Sequence, residues 1–150
     1  MQSGKIAEIW TLLGTVPDPE IPAISVVELG VIRDVKFLNN EFIISVTPTY
    51  SGCPAVKTFQ DDIKTQLNQN KIHNFKIEIV YKPAWTTDWM SNETKEKLRK
   101  YGISPPEKFA QCPQCSSTSI ELISEFGATA CKSLYKCKDC LEPFEHFKCI

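Results

Sequence analysis

Cysteine is the residue type through which this chain could do chemistry. There are seven, and six of them (Cys112, Cys115, Cys131, Cys137, Cys140 and Cys149) fall after residue 110. Four form two Cys-x-x-Cys pairs, Cys112-Pro-Gln-Cys115 and Cys137-Lys-Asp-Cys140, with 21 residues between the pairs. Two intervening residues let a tight turn aim both sulfurs at one point, and two such knuckles on neighbouring loops complete a tetrahedron about a metal ion. Four thiolates leave no position open for water or substrate, so the site is expected to be structural and its ion zinc. Rubredoxin-like iron fits the same geometry. Ser116 and Leu141, however, stand where an iron site often has glycine to bring amide donors to sulfur, which favours zinc. Two unrelated surface pairs are the competing reading.

The remaining chemical groups are fewer. Cys131 and Cys149 lie outside the knuckles and read as small hydrophobes in a thin module, or as a transient metal or redox pair. His146 could replace a sulfur ligand, but four thiolates make it unnecessary. Cys53 precedes Pro54 and is the expected N-cap of a helix, where unpaired amides and the helix dipole favour thiolate over thiol. A buried, inert Cys53 is the alternative. Asp18 and Glu20 sit in the proline-stiffened loop Pro17-Asp-Pro-Glu-Ile-Pro22, as neighbouring carboxylates or as plain turn residues. The sequence contains no Ser/His/Asp set, Gly-rich phosphate loop or His-Glu-x-x-His helix, and its two histidines, His73 and His146, leave little for acid–base catalysis.

Charge and length limit the function classes. The chain of 150 residues has 17 Lys+Arg against 18 Asp+Glu, which argues against a dedicated nucleic-acid binder. From residue 111 onward the acids outnumber the bases by one, and a four-thiolate zinc site would add further negative charge. A hydrophobic content of 42% can fill a real core. No apolar run approaches the roughly 18 residues that span a bilayer, and the start Met-Gln-Ser-Gly-Lys has no apolar signal region. A cytoplasmic chain with reduced thiols is therefore expected, without membrane or nucleic-acid partners.

The elements that must position these residues fall into two segments. Residues 1–104 carry helix and strand patterns, residues 105–110 a stiff linker containing Pro105 and Pro106, and residues 111–150 the cysteine cluster. Ile6, Ile9, Trp10, Leu13 and Val16 have helical spacing, with Ser3 as N-cap, until the prolines stop the helix. Val31 to Phe37 and Glu41 to Thr47 are β-like runs that form a hairpin about Asn39-Asn40. A helix is expected to begin at Pro54, its first residue, with Val56, Phe59, Ile63 and Leu67 on one face. Phe75, Ile77, Ile79 and Tyr81 read as a strand, and Asn92 to Lys100 as a charged helix ended by Gly102. Trp85 and Trp89 read as core, with partner contact the alternative. Ile120 to Ser124 and Lys132 to Lys136 are the expected strands between the knuckles. The fold class is thus α+β: a two-layer α-β-β-α-β domain followed by a small zinc ribbon, whose metal does the work that apolar burial cannot do below about 40 residues.

Several stretches are familiar in this order. Pro17-Asp-Pro-Glu-Ile-Pro22, Glu28-Leu-Gly-Val-Ile32 and Thr47-Pro-Thr-Tyr-Ser-Gly-Cys-Pro54 resemble the small domain shared by iron–sulfur assembly factors. Tyr81-Lys-Pro-Ala-Trp-Thr-Thr-Asp-Trp-Met90, Gly102-Ile-Ser-Pro-Pro106, Ser124-Glu-Phe-Gly-Ala-Thr-Ala-Cys-Lys132 and the end Glu142-Pro-Phe-Glu-His-Phe-Lys-Cys-Ile150 resemble the PaaD family, whose members are subunits of phenylacetyl-CoA epoxidase systems. The resemblance implies an iron–sulfur-assembly-like first domain and an accessory role in aerobic phenylacetate degradation, in which other subunits epoxidise the ring. It implies maturation or insertion of a metal or iron–sulfur centre in a reductase or oxygenase subunit, without catalysis by this chain. On that reading Cys53 is the functional thiol, transiently holding iron or a cluster, Asp18 and Glu20 lie beside it, and Cys112, Cys115, Cys137 and Cys140 bind zinc. A non-catalytic interaction subunit is the alternative. The short stretch between Pro106 and Cys112 departs from the family, where this connector can be longer. Neither the client nor the oligomeric state follows from the sequence.

Overall fold

The computed structural model describes residues 2–49 and 55–149, so Cys53, the expected N-cap, and the other residues from Tyr50 to Pro54 lie outside the described residues. The chain forms two compact units, Met1–Trp85 and Thr86–Ile150.

In the first unit α1 runs from Gln2 to Leu13 and buries Ile9 and Leu13 fully. Ser3 lies inside this helix instead of capping it. The helix stops three residues before Pro17, and Val16 is buried beyond its end. A short helix that the hydrophobic pattern did not reveal, α2 (Val26–Leu29), follows the proline loop. A capping box fixes it: the Glu28 amide donates to Ser25 Oγ, and the Ser25 amide to Glu28 Oε1. Gly30, at φ 88°, ends it in the left-handed region open to glycine.

β1 (Ile32–Leu38) and β2 (Glu41–Val46) form the expected antiparallel hairpin. Asn39 and Asn40 turn it at φ 53° and 61°, the positive values that a two-residue connection requires and asparagine tolerates. α3 (Ala55–Gln69) buries Ala55, Phe59, Ile63 and Leu67, with Val56 only half-buried. β3 (Phe75–Ile79) pairs with β2 in parallel, as a strand returning through a helical crossover must. Tyr81 lies past its end and is exposed. The sheet order β1-β2-β3 makes β2 central, which explains its burial on both faces from Phe42 to Val46, Ser45 included. α1 packs on β1 and α3, giving the expected two layers. Trp85 closes this unit as core, its indole donating to the Leu29 carbonyl at 3.0 Å.

The second unit starts earlier than the cysteine pattern suggested. A 3-10 turn (Thr87–Trp89) leads to α4 (Asn92–Tyr101), capped by Ser91 and ended by Gly102 at φ 100°. β4 (Ile103–Ser104) then pairs in parallel with β7 (Pro143–Phe147). Together with β5 (Ile120–Ser124) and β6 (Lys132–Cys137) they make a four-stranded sheet in the order β4-β7-β6-β5. The boundary expected at residue 104 therefore falls inside this unit. Pro105 and Pro106 are buried rather than spanning solvent as a linker, because the strand before them is hydrogen-bonded into the ribbon sheet.

Candidate metal centre and the acidic loop

The four knuckle cysteines converge. Their sulfurs all lie within 4.8 Å of one another, with Cys112 Sγ 3.7 Å from Cys140 Sγ and Cys115 Sγ 3.5 Å from Cys137 Sγ. A tetrahedral ion with metal–sulfur bonds of about 2.3 Å sets its sulfurs roughly 3.8 Å apart, so this donor set fits one metal ion. The two knuckles are built alike. The first cysteine of each donates its amide to the carbonyl five residues on: Cys112 to Ser117 at 3.0 Å, and Cys137 to Glu142 at 2.9 Å. The residue four positions on is left-handed in both, Ser116 at φ 63° and Leu141 at φ 66°. This is the conformation glycine would have supplied, so the absence of glycine leaves the turn unchanged and does not separate zinc from iron.

Hydrogen bonds lace the knuckles to each other. Lys138 donates its amide to Ser119 O at 2.8 Å, and the Ser117 hydroxyl donates to the Asp139 carboxylate. Cys112 and Cys137 are also core residues, packed with Phe144 and flanked by Ile120 and Tyr135; Cys115 and Cys140 are exposed. The module is thus organised around its own ligands.

Electrostatics divides the sulfurs. The Cys140 amide, 3.4 Å from Cys137 Sγ, pulls the Cys137 thiol down to about 7. Cys140 is pushed up to about 12: a backbone hydrogen bond from Glu142 works against the shift, but burial and the sulfurs of Cys112, Cys137 and Cys115 outweigh it. Four crowded sulfurs cannot all ionise without a cation among them, and a divalent ion removes that conflict.

The remaining cysteines do not join the cluster. The β6–β7 register pairs Lys132 with Phe147 and continues as a hydrogen bond from the Lys148 amide to Cys131 O, 2.9 Å long. Cys131 is therefore opposite Lys148, and Cys149 lies one residue further on, past the end of β7. Cys131 is thus the small buried residue expected of it, whereas Cys149 is exposed rather than buried. His146 is no ligand either: its Nδ1 lies 2.9 Å from Ser104 Oγ, pinning β4 to β7. Burial holds its imidazole below the usual range, against the pull of the Glu107 carboxylate. His73 sits on the surface of the other unit beside Asn68.

In the first unit the acidic loop is ordered by its own aspartate. Asp18 is buried, and its carboxylate accepts from the amides of Glu20 at 3.2 Å and Ile21 at 2.7 Å. Backbone hydrogen bonds lead from this loop to the end of β2: Val26 to Val16 O, Val31 to Val26 O, and Thr47 to Val31 O. The loop is thereby tied to the C-terminal end of β2. Thr47, the first residue of the Thr47-Pro-Thr-Tyr-Ser-Gly-Cys-Pro54 stretch, is buried there with no hydrogen-bond partner for its hydroxyl among the described residues. That stretch placed the residue in the chain, but its residue type does not announce a buried, unpaired hydroxyl.

Residues 99–148 match the family described as the PaaD zinc beta ribbon domain, and residues 6–72 match the iron–sulfur cluster assembly protein family. A protein of Escherichia coli K12 named as a subunit of 1,2-phenylacetyl-CoA epoxidase is 44% identical over 97% of this chain and 94% of its own length. An iron–sulfur protein maturation auxiliary factor of Porphyromonas gingivalis W83 is 33% identical over 61% of this chain and 88% of its own. Among solved structures, a DUF59 domain of Bacillus anthracis aligns with a TM-score of 0.59 at 29% identity, over 64% of this chain and 92% of that one.

Proposed function

The chain belongs to the PaaD family, and on that premise we propose that it is an accessory factor of a phenylacetyl-CoA epoxidase system, maturing or inserting a metal or iron–sulfur centre in a reductase or oxygenase subunit. It does not epoxidise the ring itself. The observation that carries this reading is the union, in one chain, of an iron–sulfur-assembly domain with a four-sulfur ribbon. The similarity of the chain to auxiliary maturation factors supports it. Zinc held by Cys112, Cys115, Cys137 and Cys140 would be structural, fixing the ribbon as a docking module. Iron or a cluster would be cargo, held transiently at Cys53. Thr47 and the loop of Asp18 and Glu20 would set the polar surroundings at that end of the sheet. Such a factor works on proteins in the cytoplasm, which agrees with its balanced charge. No helix among the described residues is long and apolar enough to cross a membrane.

The test is Cys53→Ser in a reconstituted epoxidase system. The proposal expects intact folding and partner binding but incomplete cofactor loading of the client. Full loading and full ring epoxidation would remove Cys53 from the mechanism.

One observation favours the alternative of a non-catalytic interaction subunit: the Asp18 carboxylate is already engaged by two amides of its own loop. On that reading Cys53→Ser is silent, whereas Cys112→Ser abolishes partner binding. A pull-down comparing the two variants separates the readings.

A further inference from the structure

β5 is the end strand of the ribbon sheet, with β6 on one side and no strand among the described residues on the other. It is an unusual edge. Leu122 and Ile123 are 48% and 52% exposed, and Phe126, just beyond the strand, is 63% exposed. The register slips between Leu122 and Ser124, so the extra residue of the bulge is Ile123 itself. Single exposed apolar residues are ordinary on a surface, but three within five residues on a free strand edge are a template for pairing. Glu121 and Glu125 flank the pair, and the run from Ile120 to Phe126 has no basic residue. Lys136 lies across from Glu121 on β6 without forming an ion pair within 4.0 Å, and Lys148 stands over the Phe126 ring.

We propose that the outer edge of β5 is the docking site for an extended segment of a client protein, apolar at its centre and flanked by lysine or arginine. The strand supplies unpaired backbone groups for hydrogen bonding, Leu122, Ile123 and Phe126 supply apolar contacts, and the two glutamates select a basic segment. A second copy of this chain is a poor occupant. Antiparallel self-pairing centred on Ile123 sets Glu121 of one copy opposite Glu125 of the other, and like charges directly opposed destabilise a strand pair. The bulge also bends the edge away from flat, indiscriminate stacking.

This deepens the accessory reading and rests on it for the client. Tagged full-length protein is mixed with the other subunits of the epoxidase system, and capture is measured for wild type, Leu122→Glu/Ile123→Glu and Glu121→Lys/Glu125→Lys. Both double variants change half-exposed or exposed side chains, so metal content and melting temperature are expected to stay unchanged. Capture should weaken about tenfold or more in each. Wild-type capture should also weaken with salt, as screening shortens from about 10 Å at 0.1 M to about 3 Å at 1 M. Equal capture by both variants would overturn the docking edge and leave the accessory reading standing. No capture by wild type at any salt would overturn both. A wild-type dimer in sedimentation that either variant abolishes would assign the edge to self-association and overturn the proposal.

Discussion

The two units reach order by different means. The first is held by apolar side chains: α1, α3 and the central strand β2 bury Ile9, Leu13, Ile44, Val46, Ile63 and Leu67 almost completely. Its polar groups of interest, Asp18 and Thr47, sit at one end of that rigid sheet. In the second unit a buried cluster contains two of the proposed metal ligands, Cys112 and Cys137, against Phe144. The first unit builds its core from aliphatic and aromatic side chains, with no cysteine among its described residues. The other commits four sulfurs to its own architecture.

The largest expected effect breaks this contrast directly. Chelation of the proposed zinc, or Cys112→Ser or Cys137→Ser, should unfold the ribbon strands while leaving the helices of the first unit intact. Structural zinc binding is worth on the order of 10 kcal/mol of folding free energy. Amide dispersion in NMR spectra, followed with metal analysis, would show it; loss of both units together would mean that they do not fold separately. Next in size, Leu13→Ala or Ile63→Ala should lower the stability of the first unit by about 2–5 kcal/mol without changing metal content, read by urea unfolding. A smaller effect, about 1–3 kcal/mol, is expected for Gly127→Ala. A β-carbon there collides with the Glu145 carboxylate, which already pairs with the buried Lys132 at 3.2 Å and accepts from the Ala128 amide at 2.8 Å. Its melting transition should shift in the second unit alone.

The smallest effect is a pH dependence. Burial keeps His146 neutral below the ordinary imidazole range near 6.5, so as pH falls past that value the unfolded chain takes up a proton that the native one refuses. Stability of the second unit should therefore be unaffected well above pH 6.5 and decline as the medium is acidified below it. His146→Asn should flatten this decline relative to wild type in parallel melts. Identical slopes would assign the whole loss to proton competition for the sulfurs.

Spacing and periodicity carried much of this into view. The hairpin was legible because Asn39-Asn40 can hold positive φ, and the knuckles because Cys-x-x-Cys has few other uses. α2 escaped because four residues are too few to show a period, although Ser25 and Glu28 spell a capping box. β4 and β7 escaped for another reason. Ile103 and Ser104 pair with Glu145 and His146, some forty residues away, and no local pattern announces a two-residue strand. The same long-range pairing explains why the prolines after it read as a linker and yet are buried. Ser116 and Leu141 were read by residue type, whereas what decided the turn was a backbone angle that neither type advertises.

The parallel pair of β4 and β7 has a consequence for portability. A ribbon excised at residue 111 would carry all four ligands but leave one flank of β7 bare and the His146 imidazole without Ser104. A transplant beginning near Thr86 would bring its own border strand and the helix that leads into it. The natural cutting point for moving this module onto another protein therefore lies well upstream of its first cysteine.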